Sequence, residues 1–94
     1  MILSYCDKRT DNFAKGIHVP AFHGFEEQTE RRLSILNAAP SLESLRALPS
    51  NRLEALEGNR LGWYSIRINR QWRLCFEWPD GQTGPSNVII QDYH

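Results

Sequence analysis

The last three residues of the chain combine side chains that can take part in proton transfer. Asp92, Tyr93 and His94 bring a carboxylate, a phenol and an imidazole together, and the terminal α-carboxylate adds a fourth polar group. Histidine is the side chain best suited to exchange protons near neutral pH. Chain ends are commonly frayed, but this one directly follows a strand-like run. The tripeptide therefore has two interpretations: a solvated tail, or a proton-transfer group held against a sheet.

Three charged residues in the predicted strands could act on a phosphate. Arg73 lies in the middle of a strand-like run, where its guanidinium can present a rigid fork to a phosphate and stabilise charge that develops during phosphoryl transfer. The alternative is an outward Arg73 that pairs with Glu77 along the same strand. Arg67 could likewise bind a phosphate or have a purely structural role, and the structural role is favoured. Glu54 could serve as a general base, although a glutamate in an exposed strand is usually only solvated.

The tryptophans and two of the histidines have simpler interpretations. Trp63, Trp72 and Trp78 could stack on bases, but an alternating strand usually places its tryptophans in the core. We expect the core for Trp72 and Trp78 and leave Trp63 open. His18 and His23 lie in a connecting segment, with no cysteine or spaced carboxylate to complete a metal-ligand set. We therefore predict loop histidines and no metal site.

The elements that must position these residues change character halfway along the chain. Apolar residues at helical spacing predict helices over about residues 8–15, 25–39 and 42–48, with Asp7 and Ser41 as N-caps. Alternating β-formers predict strands over residues 2–6, 52–57, 63–69, 72–78 and 87–93. Helices first and a strand meander afterwards indicate an α+β fold, with N-terminal helices packed on one face of a small, mostly antiparallel sheet.

Strand alternation also assigns side chains to the two faces of this sheet. The apolar residues of the two central strands share one face, which we expect to pack on the helices. The opposite face is then expected to carry Ser65, Arg67 and Arg73 towards solvent or a groove. This predicts an exposed sheet surface rich in cations.

Composition restricts the class of protein. The 94 residues, 40% of them hydrophobic, predict one domain spanning residues 1–94. Cys6 and Cys75 lie in apolar strand-like runs, which favours buried, reduced thiols and a cytoplasmic protein. There is no signal-peptide pattern and no apolar run long enough to span a membrane. Eleven basic and eleven acidic residues cancel, so any affinity for nucleic acid must come from local clustering of charge.

Three segments together resemble the HigB toxins. They are GNRLGWYSIRIN at residues 58–69, QWRLCF at residues 71–76, and the terminal DYH. The resemblance extends over nearly the whole chain, including the passage LNAAPSLESLRALPSNRLEALEGNR at residues 36–60. HigB toxins belong to the RelE-like superfamily of ribosome-associated messenger-RNA endonucleases, the toxins of type II toxin–antitoxin systems. The resemblance therefore implies a RelE-like fold and a ribosome-dependent endoribonuclease.

The resemblance also implies partners and residue roles. Such toxins use no metal or cofactor, cleave messenger RNA in the A site of the 30S ribosomal subunit, and pair with a HigA-like helix-turn-helix antitoxin. They activate a ribose 2′-hydroxyl against the neighbouring phosphate. Arg73 then matches the residue that stabilises the phosphate, and the terminal residues match the catalytic group, with His94 exchanging protons and Tyr93 orienting the RNA. Arg60, Arg67 and Trp63 are the expected RNA-binding residues.

Two positions depart from the family pattern. Glu54 stands where well-studied relatives carry a histidine used in acid/base chemistry, and Glu57 stands where they carry a lysine. Two carboxylates in these places remove positive charge beside the scissile phosphate. This predicts a weaker toxin, or one that relies on the ribosome for much of its catalytic geometry. The alternative function is a non-catalytic binding module, in which the same surfaces hold the helix-turn-helix antitoxin.

Overall fold

The computed structural model describes residues 1–92 and has the predicted α+β architecture. Three α-helices come first: α1 (Lys8–Ala14), α2 (Glu26–Ala38) and α3 (Leu42–Arg46). The strands follow: β1 (Glu54–Ala55), β2 (Trp63–Arg67), β3 (Trp72–Glu77) and β4 (Ser86–Asp92). Short 3-10 turns lie at Pro20–Phe22, Pro49–Asn51 and Gly58–Arg60. None of the helices in this part of the chain is long and apolar enough to cross a membrane.

Two of the helices begin at the predicted caps. The Asp7 side chain accepts a hydrogen bond from the Thr10 amide (3.0 Å), and the Ser41 hydroxyl accepts one from the Ser44 amide (3.2 Å). Each bond satisfies an amide that has no partner within its own helix. The last helix ends at Arg46, two residues before the predicted end, and Pro49 opens a separate 3-10 turn.

The strands form one sheet in sequence order, with every neighbouring pair antiparallel. The β2–β3 turn is held by Asn69, whose side-chain oxygen accepts hydrogen bonds from the amides of Gln71 and Trp72, both at 2.8 Å. These bonds fix the register in which Ser65 lies opposite Cys75, and Arg67 opposite Arg73. The predicted strand meander is confirmed.

The core lies between the helices and one face of this sheet. Ile66, Leu74, Phe76 and Ile90 are fully buried on that face. The helical side contributes a second set of buried side chains, which includes Phe13, Phe22, Leu33, Leu36 and Leu45. Trp78 is buried, as predicted. Trp72 is half-buried but packs against the core, stacked on Phe25 with ring centroids 5.1 Å apart.

One predicted strand is absent from the structure, and another is reduced to two residues. Residues 2–6 form no regular strand: they make one parallel bridge, Tyr5 to Val88, and backbone hydrogen bonds to the outer edge of β4. Of the run at 52–57, only Glu54–Ala55 forms a strand; Arg52, at the start of the run, has a left-handed backbone (φ 47°), so the extended conformation begins after it. Cys75 is buried, but Cys6 is exposed, so the prediction of a buried thiol is wrong for Cys6.

Candidate functional site

The centre of the site is the Arg73 guanidinium, which is enclosed by polar groups of neighbouring segments. Its Nε donates to the Ser65 hydroxyl at 2.7 Å, and its Nη2 donates to the Arg52 carbonyl. Nη2 also lies 3.4 Å from the Ser65 carbonyl, and Nη1 lies 3.7 Å from Glu54 Oε1. Contacts along both the Nε–Nη2 edge and the Nη1 end leave the planar group little freedom to rotate.

The burial of Arg73 corrects the expectation of an exposed sheet surface at this position. Arg73 is only 6% exposed, and Ser65 on the same face is fully buried. The reason is that the segment carrying Arg52 and Glu54 lies against this face at the β2 edge. The alternative pairing with Glu77 is not observed; the Glu77 carboxylate instead accepts a hydrogen bond from Asn87 at 2.6 Å.

Glu54 reaches Arg73 because of the sheet register. It pairs with Ser65 across β1 and β2, and residues paired directly across antiparallel strands have side chains on the same face. Its side chain is 49% exposed, so one carboxylate is turned towards both the guanidinium and solvent. Glu57, the second departure from the family pattern, is exposed just before the Gly58–Arg60 turn.

A rim of the same face is formed by Arg60 and Trp63. The Arg60 guanidinium lies over the Trp63 ring, 4.4 Å from its centroid, and its Nη1 donates to Gln91 Oε1 at 3.0 Å. This contact is a cation–π interaction. Trp63, left open by the sequence, is half-buried and outside the core cluster. The rim can therefore present an aromatic edge and a positive charge to a ligand.

Beneath this rim lies the Cys75 thiol. It is 2% exposed, and burial raises its pKa, while the positive charges of Arg60 and Arg73 act in the opposite direction. Burial is the larger effect. The thiol is therefore held in its neutral form, buried on the Arg73 face of the sheet.

Arg67 adds a second guanidinium to the face. It lies directly opposite Arg73, and its Nε donates to the Asn69 carbonyl at 3.1 Å. Like charges in this arrangement repel each other. An anion bound between them would relieve that repulsion, which favours a phosphate as the ligand.

The terminal group predicted from the sequence is only partly described by the structure. Asp92 pairs with Trp72, and Gln91 pairs with Arg73. Since neighbouring strand residues point to opposite faces, Gln91 shares the face of Arg73 and Asp92 does not. The Asp92 carboxylate accepts a hydrogen bond from Gln71 Nε2 at 2.9 Å. Asp92, which the resemblance assigns to the catalytic group, therefore has its side chain on the opposite face of the sheet from the guanidinium. Tyr93 and His94 lie outside the described residues.

The histidine pair lies away from these residues. His18 and His23 are exposed, with ring centroids 6.2 Å apart, and His23 Nδ1 is 3.5 Å from Glu26 Oε2. Backbone hydrogen bonds, and secondarily the two histidines, lower the pKa of Glu26. Within residues 1–92, no three histidine, cysteine, aspartate or glutamate side chains are grouped so that they could hold a metal ion.

Sequence reasoning missed three residues of the site. Ser65 was assigned to the correct face but not to the site, although its position two residues before Arg67 was a usable signal. Gln91 could have been found only from the β3–β4 register. The Arg52 carbonyl carries no sequence signal, because its direction depends on a left-handed backbone conformation.

Two sequence comparisons find toxins and related proteins. A family model described as a RelE-like toxin of type II toxin–antitoxin system HigB matches residues 10–94. The chain is 43% identical over 83 residues to Toxin HigB-1 of Vibrio cholerae serotype O1, which covers 86% of this chain and 87% of that relative. It is 36% identical over 64 residues to an uncharacterized protein of Haemophilus influenzae, which covers 68% and 60% of the two chains.

Solved structures share the fold at low sequence identity. A YoeB/ParE toxin from Agrobacterium tumefaciens matches with a TM-score of 0.59 and 12% identity, covering 99% of this chain and 98% of that one. The YoeB–YefM complex from Staphylococcus aureus matches with a TM-score of 0.58 and 18% identity, covering 100% and 98%. These likenesses establish the architecture.

Proposed function

Because this chain belongs to the HigB-like family of RelE-like toxins of type II toxin–antitoxin systems, we propose that it cleaves messenger RNA in the ribosomal A site. The observation that carries the proposal is the Arg73 guanidinium, which is buried, fixed by bonds to Ser65 and Arg52, and adjacent to a half-exposed carboxylate. A preorganised cation of this kind stabilises charge that develops on a phosphate without having to reorganise during the reaction.

The proposed reaction is attack of a ribose 2′ oxygen on the neighbouring phosphorus. The bond from phosphorus to the 5′ oxygen of the next nucleotide breaks, which leaves a cyclic phosphate and a free 5′-hydroxyl. We assign the phosphate to the Nη1 end of Arg73, which lies 3.7 Å from the half-exposed Glu54 carboxylate. Glu54 is the proposed acceptor of the 2′-hydroxyl proton. His94 is the proposed donor to the leaving oxygen, and Tyr93 orients the RNA.

The RNA-binding surface is proposed to be the same sheet face. Arg60, stacked on Trp63, and Arg67, opposite Arg73, supply the positive charge and the aromatic ring. Asp92 is proposed to act indirectly, through its position at the end of β4, because its side chain lies on the face opposite Arg73. The proposed cleavage needs no metal ion, because a fixed guanidinium and proton carriers suffice for transfer to an internal hydroxyl.

A toxin of this class has an antitoxin partner. We propose a HigA-like helix-turn-helix protein for that role, and the 30S subunit with its messenger RNA as the target. Because the proposed target is the ribosome, we propose that the protein acts in the cytoplasm.

The test is cleavage of a defined messenger RNA on programmed ribosomes, with the new 5′ ends mapped for the wild type, Arg73→Lys and a form lacking His94. Lysine keeps the charge but loses the fork, so we expect Arg73→Lys to cleave at least about tenfold more slowly. Loss of His94 should cost activity while circular dichroism remains unchanged. Equal cleavage by all three proteins would overturn the catalytic assignment.

The second candidate is a non-catalytic module that binds the antitoxin. It is favoured by the Glu54–Arg73 ion pair, because the carboxylate occupies an approach to the guanidinium that a phosphate would otherwise take. The same assay decides between the two. Tight antitoxin binding without any cleavage on ribosomes would favour the binding module.

A further inference from the structure

The Pro49–Asn51 turn holds a buried asparagine that joins three segments of the chain. Asn51 is fully buried. Its side-chain nitrogen donates to the Leu45 carbonyl at the end of α3 (3.1 Å), and its side-chain oxygen accepts from Arg32 Nη1 on α2 (2.8 Å). Since a buried amide is costly unless its groups are bonded, these contacts fix the turn relative to both helices.

The residue after Asn51 makes direct contact with the site. Arg52 has a left-handed backbone (φ 47°, ψ 53°), and its amide donates to the Pro49 carbonyl at 3.1 Å. This conformation is uncommon for a residue other than glycine and persists only where the surroundings enforce it. The Arg52 carbonyl is thereby aimed at Arg73 and accepts the hydrogen bond from its Nη2.

A continuous set of contacts therefore runs from α2 to the guanidinium: Arg32, Asn51, the Arg52 backbone, Arg73. We propose that Asn51, held by Arg32, is a positioning residue that fixes the Arg73 guanidinium in its orientation towards the phosphate. This inference rests on the proposed nuclease function and adds to it. Asn51 acts through the backbone of Arg52, and it is too deeply buried to touch RNA itself.

The position of Asn51 predicts which kinetic constant changes. Loss of the amide leaves Arg60 and Arg67, the cations proposed to bind RNA, in place but frees the Arg52 carbonyl to move. A displacement of about 1 Å at a catalytic group costs on the order of 100-fold in rate. We therefore expect Asn51→Leu to lower the single-turnover cleavage rate by about 10- to 100-fold, with ribosome affinity unchanged.

Matched variants separate positioning from loss of stability. Phe13→Leu lowers stability from the α1 side of the core, far from the turn in sequence, and serves as the control. At equal loss of melting temperature, Phe13→Leu should cleave at the wild-type rate. Arg32→Lys keeps a donor for Asn51 and should retain most of the activity, whereas Arg32→Met should behave like Asn51→Leu. Equal rates for Arg32→Lys and Arg32→Met would overturn the inference.

A double-mutant cycle tests whether Asn51 acts through Arg73. If Asn51 serves only to position the Arg73 guanidinium, its loss should have little effect once Arg73 has been replaced by lysine. In an Arg73→Lys background, Asn51→Leu should therefore lower the rate less than twofold, although it lowers the wild-type rate at least tenfold. Independent, multiplicative losses would contradict the proposal.

A measurement without RNA separates this inference from the proposed function. The Arg73 Nε–H is bonded to Ser65, so its NMR signal should be shifted and slow to exchange in the wild type and in Phe13→Leu. In Asn51→Leu the Nε–H signal should change its chemical shift, and its hydrogen should exchange faster with solvent. If Arg73→Lys cleaves as well as the wild type, the nuclease assignment fails. The NMR change in Asn51→Leu would then still support the positioning role of Asn51. An unchanged Nε–H signal in Asn51→Leu overturns the positioning role itself.

Discussion

The polar groups around Arg73 contribute unequally to stability and to chemistry. The Ser65 hydroxyl is buried with the guanidinium, so its bond to Nε cannot be replaced by water. Glu54 is half-exposed, and an ion pair of that kind contributes about 0–1 kcal/mol to stability. The Ser65 contact therefore contributes to stability as well as to the proposed chemistry, whereas the Glu54 ion pair contributes little to stability.

Replacing Ser65 tests the first statement. Ser65→Ala leaves the Arg73 Nε–H without its acceptor in a buried place, and should lower the free energy of unfolding by about 1–3 kcal/mol. Urea denaturation measures the loss. Ser34→Ala, on the exposed side of α2, is the matched control, with an expected change within about 0.5 kcal/mol. A loss no larger than that control would show that the bond contributes little.

Placing the residues of the family pattern at positions 54 and 57 tests the catalytic role of this surface. Glu54→His combined with Glu57→Lys replaces the carboxylate beside Arg73 with an imidazole, and a second carboxylate three residues further along the chain with a cation. Because general acid–base groups near neutrality contribute about 100- to 10,000-fold, we expect cleavage on ribosomes to rise at least about tenfold. Glu27→His with Glu30→Lys, both exposed on α2, makes the same change in charge elsewhere and should leave the rate unchanged. A fall in rate would mean that Glu54 is the better base.

At the scale of elements, the outer edge of β4 is covered by the N-terminal part of the chain. Residues 3–6 hydrogen-bond to it, and the Thr10 hydroxyl of α1 accepts from the Ile90 amide at 3.0 Å. An uncovered edge strand would offer its unpaired amides to other chains. The sequence predicted both segments as separate elements but not their common attachment to β4. Asn87 (φ 51°) lies where the β3–β4 register shifts.

Removing the Thr10 hydroxyl tests how much α1 holds this edge. Thr10→Val keeps the shape of a fully buried side chain but leaves the Ile90 amide without an acceptor. The expected cost is about 1–3 kcal/mol, together with faster hydrogen exchange at the Ile90 amide. Thr10→Ser retains the hydroxyl and should keep that amide protected. Equal exchange rates in the two variants would contradict the assigned contact.

At the scale of the whole molecule, a neutral chain has an uneven distribution of charge. Residues 52–73 contain five arginines and two glutamates, a net charge of +3, so the remainder carries −3. The arginines of this stretch include those of the candidate site. A chain of zero net charge can therefore present a positive surface to a phosphate backbone, which is the local clustering that the composition required.

The buried thiol and a half-buried phenol predict how stability varies with pH. Burial raises the pKa of Cys75, and burial with the nearby Asp11 charge raises that of Tyr5. The unfolded thiol ionises near pH 8.5, while the folded one stays protonated. The stabilisation is therefore complete below that pH and is lost as pH rises through the folded pKa.

The melting temperature of the wild type should therefore fall between pH 7 and pH 10.5. The fall should be less steep in Cys75→Ala, and it should be the same as in the wild type in Cys6→Ala. An equal slope in Cys75→Ala would refute the assignment.

The sequence by itself determined the order of elements, two helix caps, the apolar face of the sheet and, through its resemblance, the family. These features depend on residues close together in the chain, where periodicity and capping chemistry act. The tertiary structure decided the burial of Arg73, the arginine pair at Arg67 and the opposite face of Asp92. Those outcomes depend on register and on one left-handed residue at Arg52. Long-range hydrogen bonds fix such features, and no local pattern encodes them.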